Sequence, residues 1–207
     1  MGVPLHTVAV SDDDPNIRNL FQEVIPQLGY DFVGATATGQ EAIELVRTRK
    51  PDILIIDFHM PDLDGLEITR RVVPLGKTAV ILLTGDADPA LPRQAMDLGA
   101  SGYLRKPFDV RQLPAILESA WHRFQTVKTL QEQNQSLNET LEVRKLLEKA
   151  KGILMEQQGY TEQEAHQTIQ KMSQDQGISV KELCRSLIQV RMVLGGKSKN
   201  PASRKAA

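Results

Sequence analysis

Residues 51–65, Pro51-Asp52-Ile53-Leu54-Ile55-Ile56-Asp57-Phe58-His59-Met60-Pro61-Asp62-Leu63-Asp64-Gly65, constrain the chain more than any other stretch. Four successive aliphatic side chains at positions 53–56 need apolar cover on both faces, the pattern of a central strand in a parallel sheet. Pro61 and the Asp64-Gly65 pair then force a loop. Asp57 therefore falls at the carboxyl end of a central strand, on the rim where loops diverge and α/β sheets build their sites. On the motif alone, a carboxylate that simply caps a loop is the other reading.

The same alternation runs through the first 120 residues. Val8-Ala9-Val10 makes a short apolar strand that runs into Asp12-Asp13-Asp14-Pro15, after which Ile17, Leu20, Phe21 and Ile25 recur at helical spacing. Val33-Gly34-Ala35 reads as a strand, and residues 39–48 as a helix with Ala42, Ile43, Leu45 and Val46 inward. Residues 66–73 and 92–98 read as helices, and 79–83 and 102–104 as strands, the last just before Lys106-Pro107. Strands alternating with helices predict an α/β domain with a doubly wound, five-stranded parallel sheet.

That topology brings Asp12, Asp13 and Asp57 to one rim. Clustered carboxylates repel, and a hard divalent cation with oxygen ligands, Mg²⁺ above all, offsets the repulsion. Thr84 ends the fourth strand and Lys106 follows the fifth, adding a hydroxyl and an ammonium. Two donors, a cation and one remaining carboxylate describe a phosphoryl site in which Asp57 is the nucleophile.

With these residues in place, 5–120 resemble the receiver domain of two-component response regulators. Asp12-Asp13 matches the acidic pair, Asp57-Phe58-His59-Met60-Pro61 with Asp64-Gly65 the phosphoacceptor segment, Thr84 the switch hydroxyl and Lys106-Pro107-Phe108 the lysine motif. The resemblance implies that Asp57 takes a phosphoryl group from a sensor histidine kinase. It also implies that Mg²⁺ is held by Asp12, Asp13, Asp57 and the backbone carbonyl of His59. Tyr103 matches the aromatic that turns inward when Thr84 moves toward the phosphoryl group; an ordinary strand-edge tyrosine is the alternative. Gly85 departs from the more usual alanine after the switch hydroxyl. His59 and Asp86 stand where receivers line the approach of water, or else face solvent.

From Asp109 an Asp-x-x-Gln pattern starts a helix that does not stop. Leu117, Ala120, Phe124, Val127, Leu130, Asn134, Leu137 and Leu141 continue at spacings of three and four, and residues 117–143 read as a coiled-coil linker helix that pairs a homodimer. Consecutive threes at 124–127–130 make a local stammer, and Asn134 puts an amide in the seam. The polar run at 131–136 leaves a flexible linker as the other reading.

Residues 141–194 read as a small three-helix all-α domain. Gly159 ends its first helix, Thr161-x-x-Glu164 caps the second, Gly177 closes it, and Ser179-x-x-Glu182 caps the third. On the first helix, Leu146, Leu147, Ala150, Ile153 and Leu154 share an arc of about 120°. Arg144, Lys145, Lys149 and Lys151 surround Gly152 on the other side, a landing place for phosphate or else a solvated basic face. Arg144-Lys145-Leu146-Leu147-Glu148-Lys149-Ala150-Lys151-Gly152-Ile153-Leu154-Met155, followed by Gly159-Tyr160-Thr161, also resembles the ANTAR domain of transcription antitermination regulators. The resemblance implies a dimeric output that binds RNA stem-loops in nascent transcripts, with Arg144, Lys145, Lys149, Lys151 and Gly152 as contact residues. Tyr160 either stacks on a base or plugs the core.

Charge separates the two parts. Residues 1–120 carry 11 Lys/Arg against 17 Asp/Glu, and residues 141–207 carry 12 against 7. An acidic first part suits a cation site and a basic second part a polyanion. Residues 195–207, with Lys197, Lys199, Arg204 and Lys205 and no acid, read as a disordered basic tail. Cys184 is the sole cysteine, so an internal disulfide is impossible, and its apolar neighbours predict a packed thiol. No apolar run nears the ~18 residues that span a bilayer, and the start from Met1 lacks a basic leader, so the expected location is the cytoplasm. Three rival classes remain. A metal-dependent aspartyl phosphohydrolase would want a carboxylate where His59 stands, so no enzymatic turnover is expected beyond self-phosphorylation and slow loss. A DNA-binding output would use residues 161–174, which carry only Lys171 as a fixed cation. A protein-docking coiled coil is the third.

Overall fold

The computed structural model describes residues 6–85 and 90–195, and the chain divides into two compact units, one ending at Leu130 and the other starting at Gln131. In the first unit, strands β1 (Thr7–Ser11), β2 (Asp31–Thr36), β3 (Ile53–Asp57), β4 (Ala79–Thr84) and β5 (Gly102–Arg105) alternate with helices α1 (Pro15–Gln27), α2 (Gly39–Arg49), α3 (Gly65–Val72) and α4 (Leu91–Asp97). Every pairing is parallel and the strand order is β2-β1-β3-β4-β5. The winding reverses between β1 and β3, so the loops leaving them part and open a crevice. β3 and β4 are buried along their whole length, which is why their sequences are apolar without alternation. Phe21, Ile25, Leu113 and Leu117 cover one face of the sheet. Ala42, Val46, Ile68 and Val72 cover the other.

Local chemistry fixes where the helices start. Asp14 caps α1 by accepting from the Asn16 N–H, with Pro15 in the first turn, where a missing N–H costs nothing. Thr38 and Asp64 cap α2 and α3 in the same way. Gly65 is required by space. A Cβ there would lie 2.5 Å from Leu82 Cδ1 and 3.0 Å from the Asp57 carbonyl oxygen, so only glycine lets α3 begin directly against the end of β3.

Asp109 caps a single 3-10 turn (Val110–Gln112), its carboxylate accepting from the Arg111 N–H, and the long helix α5 (Leu113–Gln158) follows as 46 continuous residues. Pro114 falls in its first turn, and no glycine or proline interrupts it before Gly152. The first predicted helix of the small domain is thus the end of α5. Along the seam, Leu117 and Ala120 are buried, whereas Val127, Leu130, Leu137 and Leu141 are 45 to 65% exposed.

The second unit closes with α6 (Glu162–Gln176) and α7 (Val180–Gly195). Thr161 and Glu164 form a reciprocal capping box, and Gly177 ends α6 at φ 64°, a left-handed position that glycine occupies without strain. Ala150 and Leu154 of α5, Ala165 and Ile169 of α6, and Leu183 and Cys184 of α7 make its core. Glu142 pairs with Lys181 and Arg185, and Glu156 with Arg191, so ion pairs join α5 to α7 at two levels. Among the described residues no helix is long and apolar enough to cross a membrane. Asp86, Met1 to Leu5 and the basic tail from Gly196 on lie outside the described residues.

Candidate functional site

Asp12 follows the last residue of β1 and Asp57 ends β3, the two strands that flank the reversal, and both carboxylates are buried. Ligand oxygens of Asp12, Asp13 and Asp57 lie within 4.8 Å of one another, close enough to share one cation. Lys106 Nζ reaches Asp12 Oδ2 at 2.8 Å and Asp57 Oδ1 at 2.9 Å. Burial pushes the Asp12 carboxyl above its ordinary value; hydrogen bonds from Lys106 and the Asp14 N–H recover part of that cost, and neighbouring Asp57 adds to the rise. Burial acts to lower the Lys106 pKa, yet its hydrogen bonds to Asp12 and Asp57 outweigh it and hold the ammonium above the ordinary lysine range. One ammonium against three carboxylates leaves the rim electronegative. A hard cation fits this donor set, because two or three carboxylate oxygens with waters are what Mg²⁺ takes.

Thr84 ends β4, is 2% exposed, and its carbonyl accepts from the Lys106 N–H at 2.7 Å, which ties the two loops together. The Lys106–Pro107 peptide is cis. Tyr103 is 43% exposed on β5, so its ring is turned outward. His59 is exposed beyond β3 and packs edge-on against Phe58. At Gly85 the nearest atom to an added Cβ is 4.0 Å away, so this glycine is not demanded by space.

In the second unit Arg144, Lys145, Lys149 and Gly152 are exposed, and nothing lies within 4 Å of a Cβ at 152. The structure does not keep Lys151 with them. Lys151 is 6% exposed, and its Nζ is held by Glu148 at 2.8 Å and Glu162 at 2.7 Å. The reason is angular: at 100° per residue position 151 stands only about 40° from the edge of the apolar arc, so it turns toward α6 rather than to solvent. Tyr160 is half-buried against the small core.

Residues 8–118, more than half of the chain, match the response regulator receiver domain. The chain belongs to the response regulators. Residues 135–188 of this regulator match the ANTAR domain. It is 34% identical over 182 residues to the transcriptional regulatory protein PdtaR of Mycobacterium tuberculosis, an alignment that covers 88% of this chain and 89% of that one. The probable transcriptional regulator ycf27 of Cyanidium caldarium is 34% identical over 121 residues, 58% of this chain and 48% of the relative. Among solved structures, the receiver domain of the response regulator NarL from Mycobacterium tuberculosis is 30% identical with a TM-score of 0.53, covering 56% of the regulator and 96% of that chain.

Sequence reasoning missed the parts that hold the regulator's rim in shape. Arg18 Nη1 donates to the carbonyls of Asp12 at 2.6 Å and Asp13 at 2.9 Å, fixing the acidic loop. An arginine in the first turn of a helix opposes the helix dipole, and that mismatch was the available signal. Asp62 accepts from the N–H groups of Gly39 at 2.7 Å and Gln40 at 2.9 Å, tying the loop after β3 to the start of α2. No periodicity marks such a bond.

Proposed function

We propose that the regulator takes a phosphoryl group onto Asp57 from the phosphohistidine of a sensor kinase, and that its C-terminal helices then bind RNA stem-loops in nascent transcripts and act as an antiterminator. The observation that carries the first half is the buried Asp57 carboxylate, held by Lys106 beside Asp12 on the electronegative rim. In the transfer an Asp57 oxygen bonds to phosphorus as the bond to the donor imidazole breaks, and Lys106 neutralises the equatorial oxygens. Asp12, Asp13, Asp57 and the His59 carbonyl would hold Mg²⁺, which would supply the remaining charge compensation. Thr84 donates to the phosphoryl group and Tyr103 turns inward behind it. The only group transfer is onto and off Asp57 itself, because His59 stands where a phosphohydrolase needs its second carboxylate. The regulator works in the cytoplasm as a homodimer paired through the exposed α5 seam.

Labelling with an acyl phosphate and Mg²⁺ tests the first half: Asp57→Asn should abolish it, and undiminished labelling would move the site elsewhere. Binding to RNA hairpins and to duplex DNA at several salt concentrations tests the second. Gly152→Glu should stay folded, glutamate being the better helix former and the site open, and should lose RNA. A folded Gly152→Glu protein that binds as tightly as the parent would remove RNA from this helix.

A further inference from the structure

One stripe of the solvent face of α6 is made of amides, with exposed Glu164 and Lys171 beside it. Gln163, Gln167, Gln170 and Gln174 fall at spacings of four, three and four, within an arc of about 60° at 100° per residue, and His166 adjoins them. The four glutamines are exposed, and among the described residues none of their side chains bonds to another protein group. Three of them, with His166, line a groove of about 510 Å³ whose remaining walls are Lys151 and Glu162.

We propose that this groove receives one unstacked base of the RNA loop and reads its edge, preferring a base that carries an exocyclic amine to uracil. The proposal rests on the RNA-binding reading above and assigns the part of it that selects sequence. Three observations converge. Lys151 is shared between Glu148 and Glu162, so the Lys–Glu–Glu group has one negative charge in excess. A phosphate is repelled there, whereas a neutral ring that offers amino hydrogens to the Glu162 carboxylate is accepted. Uracil has no exocyclic amine and offers only N3–H, flanked by two carbonyls that the same wall repels, so it is disfavoured. The amides beside it offer a donor and an acceptor side by side, the pattern that pairs with a base edge. Meanwhile Lys145 and Lys149, exposed on α5, stand ready to hold the flanking phosphates. In this reading the phosphate contacts position the RNA and the base contact on α6 carries the sequence preference.

The test uses the full-length protein, with and without an acyl phosphate, and a pool of RNA hairpins that share one stem and carry randomised loops. The parent should deplete uracil at one loop position or more. Gln163→Ala/Gln167→Ala/Gln170→Ala should lose that discrimination by about tenfold while keeping the salt slope and the helix content. Lys145→Ala/Lys149→Ala should weaken all loops alike. If the triple glutamine variant selects the same loops as the parent, or the parent binds every loop equally, the groove reads no base and the RNA-binding proposal still stands. If the parent in neither state prefers hairpins to duplex DNA, the RNA-binding proposal itself falls and takes the base groove with it.

Discussion

Two glycines near Asp57 show how differently the same residue type serves one site. At Gly65 a methyl group would overlap Leu82 Cδ1 and press on the Asp57 carbonyl, so Gly65→Ala should cost about 1–3 kcal/mol in urea unfolding and slow labelling of Asp57. At Gly85 there is room for a methyl group, and Gly85→Ala should stay within about 0.5 kcal/mol of the parent. Equal losses for the two would contradict the close approach of α3 to β3. The Lys151 clamp makes a second prediction at this scale. The hydrogen bond from Lys151 holds the Glu162 carboxyl below its ordinary value, so its stabilisation is present above the unfolded pKa and is lost as pH falls through the folded one. Lys151, held up by Glu148 and Glu162, contributes below its unfolded pKa and loses its part as pH rises through the folded value. An NMR titration of the Glu162 carboxyl carbon should therefore show a depressed midpoint that returns toward the ordinary value in Lys151→Met; identical midpoints would mean the pair does not form in solution.

Among the elements, α5 joins both units, and its exposed seam carries the dimer proposal. Val127, Leu130, Leu137 and Leu141 present apolar surface that would cost about 25 cal/mol for each Å² left in water. Leu137→Lys with Leu141→Lys should yield monomers in sedimentation, while Leu117→Ala, deep in the sheet core, should instead lower stability by about 2–5 kcal/mol. A dimer that survives the paired lysines would place the pairing surface elsewhere. The elements themselves were legible because burial writes periodicity: β3 and β4 read as unbroken apolar runs, and the cap at Thr161 stood where it was expected. The rim was legible down to Asp12, Asp57, Thr84 and Lys106, each tied to a strand end. Arg18 and Asp62 were not, since they act on backbone groups that only the folded loops bring near. For Lys151 the wheel places the residue near the edge of the apolar arc, but only the packed partner helix shows that Glu162 takes its charge.

For the molecule as a whole, the acidic first unit and basic second unit predict two separable responses to salt. Neutralising Lys145 or Lys149 singly should lower the salt slope of RNA binding by about 0.7 where the lysine meets a single-stranded phosphate and by about 0.9 where it meets a duplex one. Lys151→Met should leave the slope unchanged, because its charge is already taken by two carboxylates. A slope that falls equally for all three lysines would show Lys151 leaving its clamp to meet RNA. Cys184, finally, gives the experimenter a private view of one half of the molecule. It is the sole sulfhydryl in the chain, it is 0% exposed within the core of the second unit, and burial pushes its pKa up. A water-soluble disulfide reagent can reach it only when α5, α6 and α7 part, so the rate of colour release clocks transient openings of that bundle alone, whatever the sheet domain is doing. Comparing that clock before and after phosphoryl loading, or with RNA present, would measure in seconds how firmly each event closes the output helices.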